Sequence, residues 1–134
     1  MPEDPARPAE RHIRLAVAVV PAISTDKRPD PLFVLAGGPG EAAKAFYASV
    51  APAFARIHRN RDIVLVDQRG TGGSNALDCP ADADNGAAPT PAQIAASVER
   101  CLRRLRKHAR VRFYTTDLAV QDLDRVRAAL VAPQ

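Results

Sequence analysis

The 134-residue sequence has no tryptophan, one methionine, 4% aromatic residues and no apolar run near the roughly 20 residues that cross a bilayer. These shortages exclude a helical membrane span and leave little for base stacking or a carbohydrate platform. Its two cysteines, Cys79 and Cys101, have no CxxC spacing and no paired histidine, so no metal site is expected. They allow either one disulfide, worth roughly 3 kcal/mol by loop closure, or two free buried thiols. No secretory leader is expected either. The apolar run from Leu15 to Ile23 follows three prolines and the acids Glu3, Asp4 and Glu10, which is wrong for a cationic leader. As it stands the chain carries no address and would be cytoplasmic.

What is present fits one α/β domain over residues 1–134. Twelve prolines and seven glycines fall between periodic segments rather than in one tract, which argues against disorder. Residues 12–20 read as a strand that alternates and then becomes buried. Leu32 to Ala36 is a short, continuously apolar strand of the kind buried in a parallel sheet, and it runs into Gly37-Gly38-Pro39-Gly40. Phe46, Val50, Phe54 and Ile57 then recur at helical spacing, with Pro52 set to break the helix. Ile63 to Val66 is a third strand, ended by Asp67, which completes a βαβ unit.

Beyond a long loop, Thr90 or Pro91 opens a helix with the stripe Ile94, Val98, Cys101, Leu102 and Leu105. Its other face carries Arg100, Arg103, Arg104, Arg106 and Lys107. We read these as a solvated face with cations near the helix C-terminus, not as a nucleic-acid patch, because no interleaved aromatic supports one. Thr115-Thr116 caps a last helix, with Ala119, Leu123, Val126 and Leu130 on one side.

The glycine turn lies where a strand hands over to a helix, the edge at which open α/β folds bind ligands. Three readings remain open on pattern alone. Gly38 to Ala43 satisfies G-x-G-x-x-A, with Asp67 near the place of a ribose-binding acid, as in a small nucleotide- or dinucleotide-binding module. Against this, Pro39 removes an N–H where a pyrophosphate needs donors. The glycines also suit a turn that aims an N–H at a developing oxyanion. The third reading is a tight turn with no ligand.

Leu35-Ala36-Gly37-Gly38-Pro39-Gly40, followed about 27 residues later by Asp67-Gln68-Arg69-Gly70-Thr71-Gly72-Gly73-Ser74, resembles the HGGPG and DQRGxGxS signatures of α/β-hydrolase peptidases. These are of the prolyl iminopeptidase and tripeptidyl aminopeptidase type. Leu77-Asp78-Cys79, Cys101 and the segment from Tyr114 to Leu130 extend the likeness to a secreted branch and to nearly the whole chain. Ala36 departs from the family, which often has His there.

The resemblance implies a partial α/β-hydrolase fold, a mostly parallel sheet with flanking helices, ending before the family's fifth strand and the nucleophile elbow. It makes Gly37 or Gly38 an oxyanion-hole donor through its N–H and puts Pro39 in a cis peptide that fixes the turn with Gly40. It makes Asp67 and Arg69 a structural pair organising the following turn, and Cys79–Cys101 a disulfide in an exported parent protein. The implied substrate is a peptide or a small ester or amide, with no cofactor, and the implied activity is that of a serine aminopeptidase. The strand at 32–36 would be left as an open apolar edge through which the chain self-associates.

The catalytic set itself is missing from these residues. Acyl transfer on this fold needs G-x-S-x-G followed by an acid and a histidine. Gly72-Gly73-Ser74-Asn75-Ala76 is the nearest match, and it runs into a loop instead of a helix. The front end of a hydrolase, inactive alone, is the expectation.

Overall fold

The computed structural model describes residues 1–38, 40–80 and 88–131. Three strands form one sheet: β1 (Val17–Val20), β2 (Leu32–Val34) and β3 (Ile63–Val66), in the order β1-β3-β2. β3 is the central strand, and all four of its residues are buried, as a continuous Ile-Val-Leu-Val run requires.

Side chains alternate across the sheet, so β3 serves two cores. Ile63 and Leu65 pack with Val34 and Ala43 on one face, joined by Phe46, Tyr47 and Phe54 of the helical segment between β2 and β3. Val64 and Val66 pack with Val126 on the other face, joined by Phe33, Leu15 and Leu123. Helix α1 (Ala43–Val50) therefore covers one side and α4 (Thr116–Val131) the other.

The sheet is mixed, not mostly parallel. β2 runs parallel to β3, pairing Leu32 with Ile63 and Val34 with Leu65, but β1 is antiparallel to β3, pairing Val17 with Val66 and Val20 with Ile63. The link over residues 21–31 is too short for the crossover of a dozen or more residues that parallel strands need, so β2 returns in the opposite direction to β1. β1 is also shorter than the expected 12–20 and is not buried at its end. It is an edge strand, with Val17 and Val19 exposed and Ala18 and Val20 turned to the core. β2 stops at Val34, two residues early, and Leu35 is 54% exposed.

Pro52 breaks the first helix as expected. α1 ends at Val50, a 3-10 turn spans Ala51–Phe54, and α2 (Ala55–His58) resumes. α3 (Pro91–Leu105) starts with a capping box, in which Thr90 Oγ1 accepts from the Gln93 N–H and Gln93 Oε1 accepts from the Thr90 N–H. Only the C-terminal end of its apolar stripe packs inward. Leu105 is buried and Cys101 is bonded to Cys79, whereas Ile94 and Val98 are half exposed. In α4, Ala119 and Val126 are buried and Leu123 joins their side, but Leu130 faces solvent.

A buried polar network joins the chain's first residues to α4. Arg69 forms a bidentate pair with Asp122, at 2.7 Å from Nε and 2.8 Å from Nη2. Its Nη1 donates to the carbonyls of Phe113 and Glu3. The Glu3 carboxylate, fully buried, accepts from the Arg110 N–H at 2.7 Å and from the Tyr114 hydroxyl at 3.1 Å. Tyr114 also accepts from Asn75 Nδ2. Burial, above all, pushes the Tyr114 phenol up to about 12, so it stays a neutral donor to Glu3 at physiological pH. The proline-rich lead is thus anchored through Glu3.

Candidate functional site

β2 and β3 are parallel, so the chain leaves both at the same edge of the sheet. The glycine turn follows β2, and the loop over residues 67–77 follows β3. Gly37 and Gly38 are exposed, and among the described residues neither N–H donates to any partner. Gly38 has φ of +100° and its carbonyl accepts from the Glu41 N–H at 3.2 Å, which closes the turn. Gly40 has φ of +88°. Pro39, with its implied cis peptide, lies outside the described residues.

Asp67 holds this turn from behind. Helix α1 has Ala42 at its N-cap, a residue with no side-chain acceptor to offer. The Asp67 carboxylate, only 1% exposed, fills that role from just beyond β3. Its Oδ1 accepts from the Lys44 N–H at 3.1 Å, its Oδ2 accepts from the Gly73 N–H at 3.0 Å, and Lys44 Nζ lies 3.2 Å from Oδ2. A carboxylate at a helix N-terminus also complements the helix dipole. Because Asp67 binds both chain segments, the turn after β2 and the loop after β3 are fixed relative to each other.

That closeness explains two of the glycines. A Cβ on Gly72 would lie 2.6 Å from both Ala42 Cβ and Asp67 Oδ2, and one on Gly73 would lie 2.7 Å from Ala16 Cβ. A side chain on Gly72 would push the two segments apart, and one on Gly73 would push the loop after β3 away from the chain just before β1.

Asp67 and Arg69 do not bond to each other. The first caps α1, and the second points to the opposite layer and Asp122. Each organises the turn through its own partners rather than as a pair.

Ser74 is fully buried. Its hydroxyl donates to the Asp67 carbonyl at 2.6 Å and accepts from the Ala16 N–H at 2.9 Å. With both roles used and no solvent access it is a structural bolt, not a nucleophile. The other serines are no better placed: Ser24 sits in a turn, Ser49 on α1 with its hydroxyl on the Phe46 carbonyl, and Ser97 on α3. His58 is held to the Pro21 carbonyl at 2.8 Å and His12 to the Glu10 carbonyl at 3.0 Å.

Cys79 and Cys101 form a disulfide with Cα atoms 5.6 Å apart, which closes the choice that the sequence leaves open. It ties the loop after β3 to α3. Among the described residues no cluster of histidine, cysteine and acidic side chains is arranged to hold a metal, and no helix is long and apolar enough to cross a membrane. On α3, Arg103 lies 3.7 Å from Glu99, one turn away.

Sequence reading finds the glycine turn and Asp67 but misses the Asp67–Lys44 contact, which only the fold creates. It also misses Glu3 and Asp122. For Asp122 a signal exists: it falls between Ala119 and Val126 on the buried side of α4, where a charge requires a partner. No known protein-family model matches the chain, and no curated protein matches it either.

Proposed function

We propose that the chain carries the oxyanion-binding turn of an α/β-hydrolase-type serine aminopeptidase, with the nucleophile, acid and histidine supplied by sequence outside these 134 residues. The observation that carries this is that Gly37 and Gly38, at the carboxyl end of a parallel strand, are exposed and that among the described residues their N–H groups have no partner. Fixed donors aimed at developing charge are a large source of rate in acyl transfer, because they need no rearrangement during the reaction. The buried Asp67 cap supports that fixity, and the occupied hydroxyl of Ser74 requires a nucleophile from elsewhere. The dinucleotide alternative is weakened at the same point. Asp67 is committed to Lys44 and Gly73 and has no free face for a ribose.

The test is to read the downstream sequence and assay the longer polypeptide. We expect a G-x-S-x-G within about 20 residues of Gln134. We also expect hydrolysis of L-alanine p-nitroanilide that is absent from the 134-residue chain. Amidase activity in the short chain alone, or a longer polypeptide with no such elbow, would defeat the proposal.

The same reading treats the free side of β2 as the seam for a further strand. Leu32 donates its N–H to the Asp62 carbonyl, so the alternating Phe33 groups point away from β3. The isolated chain should therefore self-associate through this edge, and Leu35→Lys should reduce that association. Sedimentation velocity reads the outcome; a monomer at all concentrations would count against it. The disulfide fits an exported protein, because such bonds persist in oxidising compartments.

A further inference from the structure

We propose that the exposed cations at the C-terminal end of α3 form a docking surface for a linear acidic polysaccharide, whose carboxylate or sulfate groups meet Arg103, Arg104, Arg106 and Lys107. The segment from Arg100 to Arg112 holds seven of the chain's nineteen Lys and Arg residues and no acid. The other residues carry twelve cations against fifteen acids, so the net positive charge of the chain resides in this segment. A helix dipole favours cations near its C-terminus, but the effect fades within the last turn and does not account for an acid-free stretch that continues to Arg112. The four side chains are exposed because α3 is held from its other side. Leu105, in the middle of the four, is buried, and Cys101 is bonded to Cys79. At 3.6 residues per turn Arg103 falls opposite Leu105. Arg103 lies 3.7 Å from Glu99, a contact between two exposed side chains and so a weak one. Among the described residues Arg104, Arg106 and Lys107 have no ion pair.

The surroundings of these cations select the kind of polyanion. No Phe, Tyr or Trp stands between Arg100 and Arg112, so the surface offers no ring on which a base could stack. Leu102 is half-buried and Leu105 is buried, which leaves no apolar side chain among the four cations to enter a bilayer. An anionic membrane would then gain only about 1 kcal/mol for each cation near its surface. The convex face of a helix suits an extended chain, whose successive anions meet successive cations while both stay partly hydrated. Three of the four cations are arginines, and the planar guanidinium fork takes two oxygens of one oxyanion in parallel. The Cys79–Cys101 bond suits an oxidising compartment, which favours an extracellular polymer over a nucleic acid.

The test measures binding of the 134-residue chain to a heparin octasaccharide, beside an uncharged dextran of the same length, a short DNA duplex and phosphatidylglycerol vesicles. The octasaccharide should bind at least about tenfold more tightly than the duplex or the vesicles, and the dextran should not bind. Its affinity should fall at least about tenfold between about 50 and about 200 mM NaCl, as counterion release from four contacts requires. In the ¹⁵N-labelled chain, the largest amide shifts on titration should lie over residues 103–108. The double variant Arg103→Gln with Arg104→Gln should bind at least about tenfold more weakly. Arg56→Gln with Arg59→Gln removes the same charge from exposed positions on α2 and just beyond it, and should cost less than about twofold. Binding of the duplex or the vesicles as tightly as the octasaccharide would assign the surface to another polyanion and overturn the proposal. Equal losses in the two double variants, shifts spread over the whole molecule, or no binding of the octasaccharide would overturn it as well.

Discussion

Asp122→Ala should cost about 3–5 kcal/mol of folding stability, because it leaves the Arg69 guanidinium buried without its counter-charge. A domain of this size has roughly 5–15 kcal/mol in total, so the loss would bring the protein close to unfolding at 37 °C. The geometry makes the effect large. Both partners are almost fully buried, the pair is bidentate, and Arg69 also holds the carbonyls of Glu3 and Phe113. One cation thereby joins the first residues of the chain, the turn before α4 and α4 itself. Replacing both members, as in Arg69→Met with Asp122→Leu, should recover much of the loss, since apolar side chains of similar volume escape the desolvation cost. Urea unfolding measures both. A single Asp122→Ala variant within 1 kcal/mol of the parent would show that the network does not hold the layers together.

Asp67→Ala should be nearly as damaging and would act on the proposed site. The Lys44 and Gly73 N–H groups lose a charged acceptor, each such bond being worth about 1.5–3 kcal/mol, and α1 loses the side chain that caps it. The glycine turn runs directly into that helix, so the Gly37 and Gly38 donors would lose their fixed direction. Amide hydrogen exchange gives the local reading: protection at Lys44 and Gly73 should fall by more than at the centre of β3. Unchanged protection at both would mean that Asp67 is not the cap.

The parts of this fold that depend on neighbouring residues are legible in the sequence. The four apolar residues of β3, the break at Pro52 and the opening of α3 at Thr90-Pro91 each follow from local pattern, and the structure has them at those positions. The direction of β1 does not follow, because pairing is settled by the length of the link to β2 and not by the strand's own residues. Nor does the exposure of Ile94 and Val98, which depends on where the Cys79–Cys101 bond holds α3. At the site, Gly37, Gly38 and Asp67 stand out as motif residues. The reason Asp67 is needed lies 23 residues back in the chain at Lys44, and the reason Gly72 must be glycine lies at Ala42. Such long-range contacts leave no periodic trace. Glu3 is the extreme case, a buried acid in a segment whose prolines suggest only a loose lead.

The role of the glycine turn is tested most directly by the crystal structure of the longer polypeptide after reaction with a fluorophosphonate. The phosphoryl oxygen of the adduct should lie about 2.7–3.1 Å from the nitrogen of Gly37 or Gly38, as an oxyanion donor requires. An adduct whose oxygen is held by other groups, with both glycine N–H groups still free, would contradict it.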